Sequence, residues 1–191
     1  MKKVVIILLV TICSIIIISG CEVKKTNEVT DAERFASEYS VSENNPFKYS
    51  NIDEILDIFE NGTGIIFFAD SDCEWCSATA KVFNEALQYK NIDKVYYYNP
   101  KKIRDKNTKK YQKLIEKIKD NLAKNDKDEP YLYLPDIYLV KNGKIIGHNN
   151  DTATMGGTVD EALNAKTKKE LKNKYLELIS EYNVRECSGK C

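Results

Sequence analysis

Residues 67–83, FFADSDCEWCSATAKVF, change character midway. Aromatic, β-favouring residues give way through a short polar step to Cys73 and Cys76, and then to a helix-forming stretch. Just upstream, GIIFFA (64–69) is an unbroken apolar run bounded by Gly64 and Asp70. That is the pattern of a strand buried on both faces. From about Trp75 to Tyr89 the spacing predicts a helix, with Ala78, Val82, Ala86 and Tyr89 along one face. The two cysteines therefore stand at a strand-to-helix turn. A redox pair, two metal ligands and a structural bridge all use cysteines at this spacing. A helix start suits the first, because its unpaired N–H groups and dipole stabilise a thiolate, the attacking form of cysteine.

Working outward, SNIDEILDIFENGTG predicts a helix carrying Ile52, Ile55, Leu56 and Phe59, with Ser50 as N-cap and Gly62 as its stop. KVYYYNP (94–100) reads as a strand stopped by Pro100. KNTKKYQKLIEKIKDNLAKN reads as one amphipathic helix with Tyr111, Leu114, Ile115, Ile118 and Leu122 facing in and its lysines solvated. In YLYLPDIYLVKNGKIIGH two alternating segments flank Asn142-Gly143, a strong hairpin signal. His148 reads as a surface residue after the last strand, with a helper role near the site as the alternative, and the tyrosines of VYYYN and YLYLPDIY as strand packing rather than a peptide groove, Tyr133 beside Leu134 excepted. TKKELKNKYLELISEY supplies a final amphipathic helix. Helices between strands imply an α/β fold with parallel strands, and the hairpin adds an antiparallel edge.

The first residues are read by a different rule. MKKVVIILLVTICSIIIISGC has a basic start, an uncharged apolar run from Val4 to Ile18 and then small residues, the layout of a secretory signal. The run is short of the roughly 20 residues a spanning helix requires. Its end, Ile18-Ser19-Gly20-Cys21, resembles the bacterial lipobox, which implies a lipidated Cys21 as mature N-terminus. Acyl chains there would hold the protein on a membrane, facing outside, where disulfides persist. The preference for Lys, with only Arg34, Arg104 and Arg185 as arginines, fits a low-GC Gram-positive bacterium. The expected layout is a signal over 1–20, a lipidated tether over 21–49 with a short helix near Asp31–Tyr39, a domain over 50–183 and a cysteine-containing tail over 184–191.

Composition narrows the functions. The chain is 42% hydrophobic and 30% charged, as globular proteins are. Lys+Arg and Asp+Glu balance at 29 each, so no overall field points to nucleic acid. A single His leaves no histidine cluster.

A buried strand running into C-x-x-C at a helix start, Pro135 before a hairpin strand, and VKNGKIIG together resemble the thioredoxin-like superfamily over roughly Ser50–Tyr182. The resemblance implies a three-layer sandwich, with a mixed sheet of parallel strands plus a C-terminal hairpin and helices on both faces. It implies that Cys73 attacks and Cys76 resolves. It also implies a cis Leu134–Pro135 bond beside the cysteines, with Trp75, Leu134 and Pro135 meeting the substrate. No external cofactor is then required, since a redox-active Cys73–Cys76 disulfide carries the electrons. The chain departs from common thioredoxins in having Asp72 before the first cysteine and Glu74-Trp75 between the two. Phe67 stands where many bury an Asp. Negative charge at Asp72 and Glu74 disfavours a thiolate, against the pull of the helix start.

At the C-terminus CSGKC allows a second disulfide, Cys187–Cys191, either a local staple or an exchange partner of the first pair. A zinc site built from all four cysteines is the competing arrangement, with a tail spacing looser than such sites usually show. The expected function is a membrane-anchored thiol–disulfide oxidoreductase. Its partners would be the thiols and disulfides of exported proteins and a membrane redox partner, with no nucleic acid. The alternative is a non-catalytic docking lipoprotein, similar to thioredoxin-like bacteriocin transport accessory proteins.

Overall fold

The computed structural model describes residues 29–187, with side chains through 182. The signal (1–20), Cys21 and Cys191 lie outside the described residues, as does the side chain of Cys187. Among the described residues no helix is long and apolar enough to cross a membrane.

A five-stranded mixed sheet, in the order β1-β3-β2-β4-β5, organises the chain. Its strands are β1 (Phe47–Tyr49), β2 (Gly64–Phe68), β3 (Val95–Tyr98), β4 (Asp136–Lys141) and β5 (Lys144–Asn149). β1 and β2 pair with β3 in parallel, while β4 pairs antiparallel with both β2 and β5. All five residues of β2 are buried, as an uninterrupted apolar run at the sheet centre requires. The Asn142-Gly143 turn has φ of 50° and 72°, the two positive values that a tight hairpin needs. A Cβ at Gly143 would also collide with the Glu60 carbonyl.

Helices cover both faces. On one side lie α1 (Asp31–Tyr39), α3 (Glu74–Tyr89) and α7 (Ala165–Cys187). They bury Phe35, Phe83, Leu87 and Tyr175 against Phe67 and Leu139. On the other lie α2 (Ile52–Glu60) and α5 (Lys109–Ile118), closing Ile55, Phe59 and Leu114 over Ile66, Phe68 and Tyr138. The period-2 alternation of β2 serves two cores at once.

The domain begins earlier than the sequence suggests. The short helix expected near Asp31–Tyr39 is α1, but with β1 it is built into the domain rather than ending a tether. Thr30 and Glu33 close a capping box at the start of α1, and Ser40, in the left-handed region at φ 52°, ends it. Phe35, Tyr39 and Phe47 are fully buried, the Phe35 ring lying 3.8 Å from that of Phe47 and 4.4 Å from that of Tyr39. A three-residue strand is too short to show alternation, which hides β1 behind Asn44-Asn45-Pro46.

Smaller corrections follow local chemistry. α2 is capped by Asn51 rather than Ser50: the amide oxygen accepts from Asp53 N and Glu54 N at 2.9 and 3.1 Å. The helix expected over 106–125 is shorter: α5 starts only where the Thr108 hydroxyl accepts from Tyr111 N, and a separate short helix, α4 (Lys101–Asp105), precedes it. A short 3₁₀ turn, Lys119–Asn121, ends it. Tyr89, assigned to the inward face of α3, is 71% exposed, because the buried stripe runs Cys76, Ala80, Phe83, Leu87. The short α6 (Val159–Ala162) precedes α7.

Replacing Phe35 by Ala separates a structural α1 from a tether. Chemical unfolding of F35A is expected to show a loss of about 3–5 kcal/mol, whereas a tether residue changes stability by about 0.5 kcal/mol or less.

Candidate active site

β2 ends at Phe68, and Asp70, Ser71 and Asp72 turn the chain into α3. Cys73 is the N-cap of that helix. Its backbone is extended (φ −97°, ψ 115°), and its Sγ accepts from Cys76 N at 3.1 Å. A helix start leaves N–H groups without carbonyl partners. Here a sulfur takes the capping position usually held by a hydroxyl or carboxylate oxygen.

The two cysteines come within 2.7 Å of one another as free thiols. Cys73 is half-buried and Cys76 completely buried. Their acidities diverge. Cys73 is lowered to about 7, chiefly because Cys76 offers it a side-chain hydrogen bond. Burial opposes this, the Cys76 and Trp75 N–H groups support it, and the charge of Asp70 works against it. Burial above all pushes Cys76 far up, and its hydrogen bond to Cys73 adds to the shift. One thiol is thus poised to ionise near neutrality while the other keeps its proton. With a pKa near 7, roughly half of Cys73 is thiolate at pH 7, against about 3% for an ordinary cysteine.

Leu134–Pro135 is a cis peptide, and the Leu134 carbonyl oxygen lies 4.0 Å from Cys73 Sγ. The structure therefore brings together Cys73, Cys76, Leu134 and Pro135. Pro135 itself is buried, so Leu134 and Tyr133 supply the partly exposed surface at this point. Trp75, in the first turn of α3, is half-buried at the edge of the core. An open groove of about 460 Å³ borders Asp72 and Glu74, with Ala78, Val82 and Val159 as apolar wall. Compared with protein-family models, with curated proteins and with solved structures, the chain finds no match.

The charge that bears on Cys73 comes from a residue sequence reasoning overlooked. Asp72 and Glu74 are the sources the sequence points to, but both are exposed, the Asp72 side chain by 82%. Asp70 stands closer in effect. Its carboxylate accepts from Asp72 N at 3.3 Å and Asn99 Nδ2 at 3.0 Å, and pairs with Lys101 Nζ at 3.0 Å. Burial would raise its pKa, but Lys101, the Asp72 N–H and Asn99 outweigh that and lower it. Lys101 also reaches Asp72 at 3.6 Å. Asp70 stays ionised beside the thiols while Lys101 offsets its field. The clue was a carboxylate ending a wholly apolar strand; its partners, some thirty residues on, were beyond a local pattern.

His148 is also placed differently from expectation. It lies within β5 rather than after it, 15% exposed, with Nε2 2.7 Å from Asp136 Oδ1. Among the described residues no group of three or more His, Cys, Asp or Glu is arranged to hold a metal ion.

These electrostatics set the outcome of a titration. Iodoacetamide alkylation of Cys73 should rise with a midpoint near pH 7. In Asp70→Asn that midpoint should move down, since the removed charge raises the thiol and Lys101 loses its partner. A midpoint that moves up would contradict the assignment.

Proposed function

We propose that this chain is a thiol–disulfide oxidoreductase of the thioredoxin-like kind, held by a lipidated Cys21 on the outer face of the membrane, acting on exported proteins. The observation that supports it most is the division of labour in the pair. Cys73 is accessible, acidified and at a helix N-cap, and Cys76 is buried, protonated and within reach. Further support comes from a fully buried strand leading into the pair, the Leu134 carbonyl 4.0 Å from the outer sulfur, and an antiparallel hairpin after it.

The chemistry balances without an external group. The Cys73 thiolate attacks one sulfur of a substrate disulfide, forming a Cys73–substrate bond and expelling the other sulfur as thiolate, which takes up a proton. Cys76 then gives up its proton and attacks Cys73 Sγ. The Cys73–Cys76 disulfide forms and the second substrate thiol leaves. Two electrons have passed from the protein dithiol to the substrate. The same steps reversed oxidise a substrate dithiol. Burial of Cys76 has a use in this scheme: it keeps the second sulfur from reacting with solvent species until the mixed disulfide brings its target alongside. Backbone near Leu134 and Tyr133 offers an extended substrate an edge to pair with.

Insulin reduction with dithiothreitol as terminal reductant tests the reading. Wild type should accelerate it, Cys73→Ser should fall to the uncatalysed background, and pre-reduced Cys76→Ser, mixed with insulin once dithiothreitol is removed, should accumulate a mixed disulfide through Cys73. Absence of turnover in wild type, or turnover that survives Cys73→Ser, overturns the reading in favour of a docking role.

A further inference from the structure

Asp136 is the first residue of β4 and follows Pro135 directly. Its side chain is 0% exposed, and strand alternation places it with Tyr138 and Val140 on the α2/α5 side of the sheet. Oδ1 lies 2.7 Å from His148 Nε2, and Oδ2 accepts from the Tyr138 hydroxyl at 3.1 Å. The His148 ring rests on that of Tyr138, with centroids 4.6 Å apart. A carboxylate taken wholly out of water is expensive unless its acceptor sites are filled. Here both oxygens are engaged, one of them by the neighbouring strand.

The location gives this cluster a consequence beyond folding. Residues 132–136 pass in front of Cys73 and are tied down at both ends. Arg104 Nη1 donates to the Leu132 carbonyl at 3.1 Å upstream, and His148 holds Asp136 downstream. Between these ties lie Tyr133 and Leu134, both partly exposed, with the Leu134 carbonyl 4.0 Å from Cys73 Sγ. Among the described residues, no group of the downstream tie is hydrogen-bonded to either cysteine, so its direct hold is on the substrate-facing segment rather than on the sulfurs.

We propose that Asp136 and His148 are positioning residues: their bond fixes the start of β4 so that the Leu134 backbone presents one geometry to a polypeptide approaching Cys73. The inference rests on the oxidoreductase reading and specifies how that site holds an extended substrate. Small disulfides, which have no backbone to align, do not depend on it.

The test compares insulin turnover, with dithiothreitol as reductant, with a single turnover of 5,5′-dithiobis(2-nitrobenzoate) by pre-reduced protein freed of dithiothreitol, which would otherwise reduce that small disulfide directly. In both, two electrons pass from the Cys73–Cys76 dithiol to one substrate disulfide, giving two substrate thiols; dithiothreitol then re-reduces the pair in the insulin assay. In Asp136→Ala and His148→Ala the KM for insulin should rise about tenfold, equivalent to about 1.4 kcal/mol of lost substrate binding. The kcat for insulin and the rate with the small disulfide should stay at wild-type values. Asp136→Asn keeps an oxygen acceptor for Tyr138 and offers its amide N–H to His148 Nε2, which accepts in its other neutral tautomer, and His148→Gln keeps a donor for Asp136. Both should restore KM. Should Asp136→Ala fail to fold, the His148 pair of variants, on the edge strand, carries the comparison. Unchanged KM in the alanine variants overturns the inference while leaving the oxidoreductase reading intact. Equal slowing on both substrates shows a general defect and also overturns it. If wild type fails to reduce insulin, the oxidoreductase reading falls and this one with it.

Discussion

The N–H groups that open α3 have no helical carbonyl to bond, and in this chain the sulfur of Cys73 answers one of them. That single substitution of sulfur for oxygen at a helix cap joins fold to chemistry. The cap must be filled for the helix to start there, and whatever fills it feels the positive end of the helix dipole. With sulfur as the acceptor, stabilising the helix and stabilising a thiolate become the same interaction. Cys76, one turn on, contributes twice, through its backbone N–H and through its own thiol.

The surrounding sheet makes this arrangement durable. β2 is sandwiched between a parallel and an antiparallel neighbour and buried on both faces, so the point at which it releases the chain is fixed by two cores. Phe67 is central to one of them, with ring contacts to Phe35, Phe47, Phe83 and Tyr97. Polar machinery is pushed to the rim, where Asp70, Asn99 and Lys101 meet beside the thiols. The acidity of Cys73 is then a balance: the helix start and Cys76 lower it, burial and Asp70 raise it, and the lowering wins.

Much of this was written locally in the sequence. GIIFFA has the pattern of a strand buried on both faces, Asn142-Gly143 that of a tight hairpin, and the run from strand to helix put Cys73 and Cys76 at the opening turn of a helix. What escaped notice shares a physical cause. Asp70 meets Asn99 and Lys101 only because β2 and β3 lie side by side, and Asp136 meets His148 only because β4 and β5 do. Such pairs are products of register, and register is not visible in spacing along the chain. The error over residues 31–49 came from the same limit. Their polar composition reads as solvated linker until Phe35, Tyr39 and Phe47 are seen to converge on one side of the sheet.

The central claim is that one helix cap separates two neighbouring thiols in acidity, the outer ionising near neutrality and the inner held protonated. Nuclear magnetic resonance of chain labelled with carbon-13 at the cysteine β-carbons, followed against pH in the reduced protein, reads both sulfurs directly. The account predicts that the Cys73 signal titrates near pH 7 while the Cys76 signal stays flat through the neutral and mildly alkaline range. Two signals titrating together, or Cys73 titrating at the ordinary thiol value of about 8.5, would contradict it.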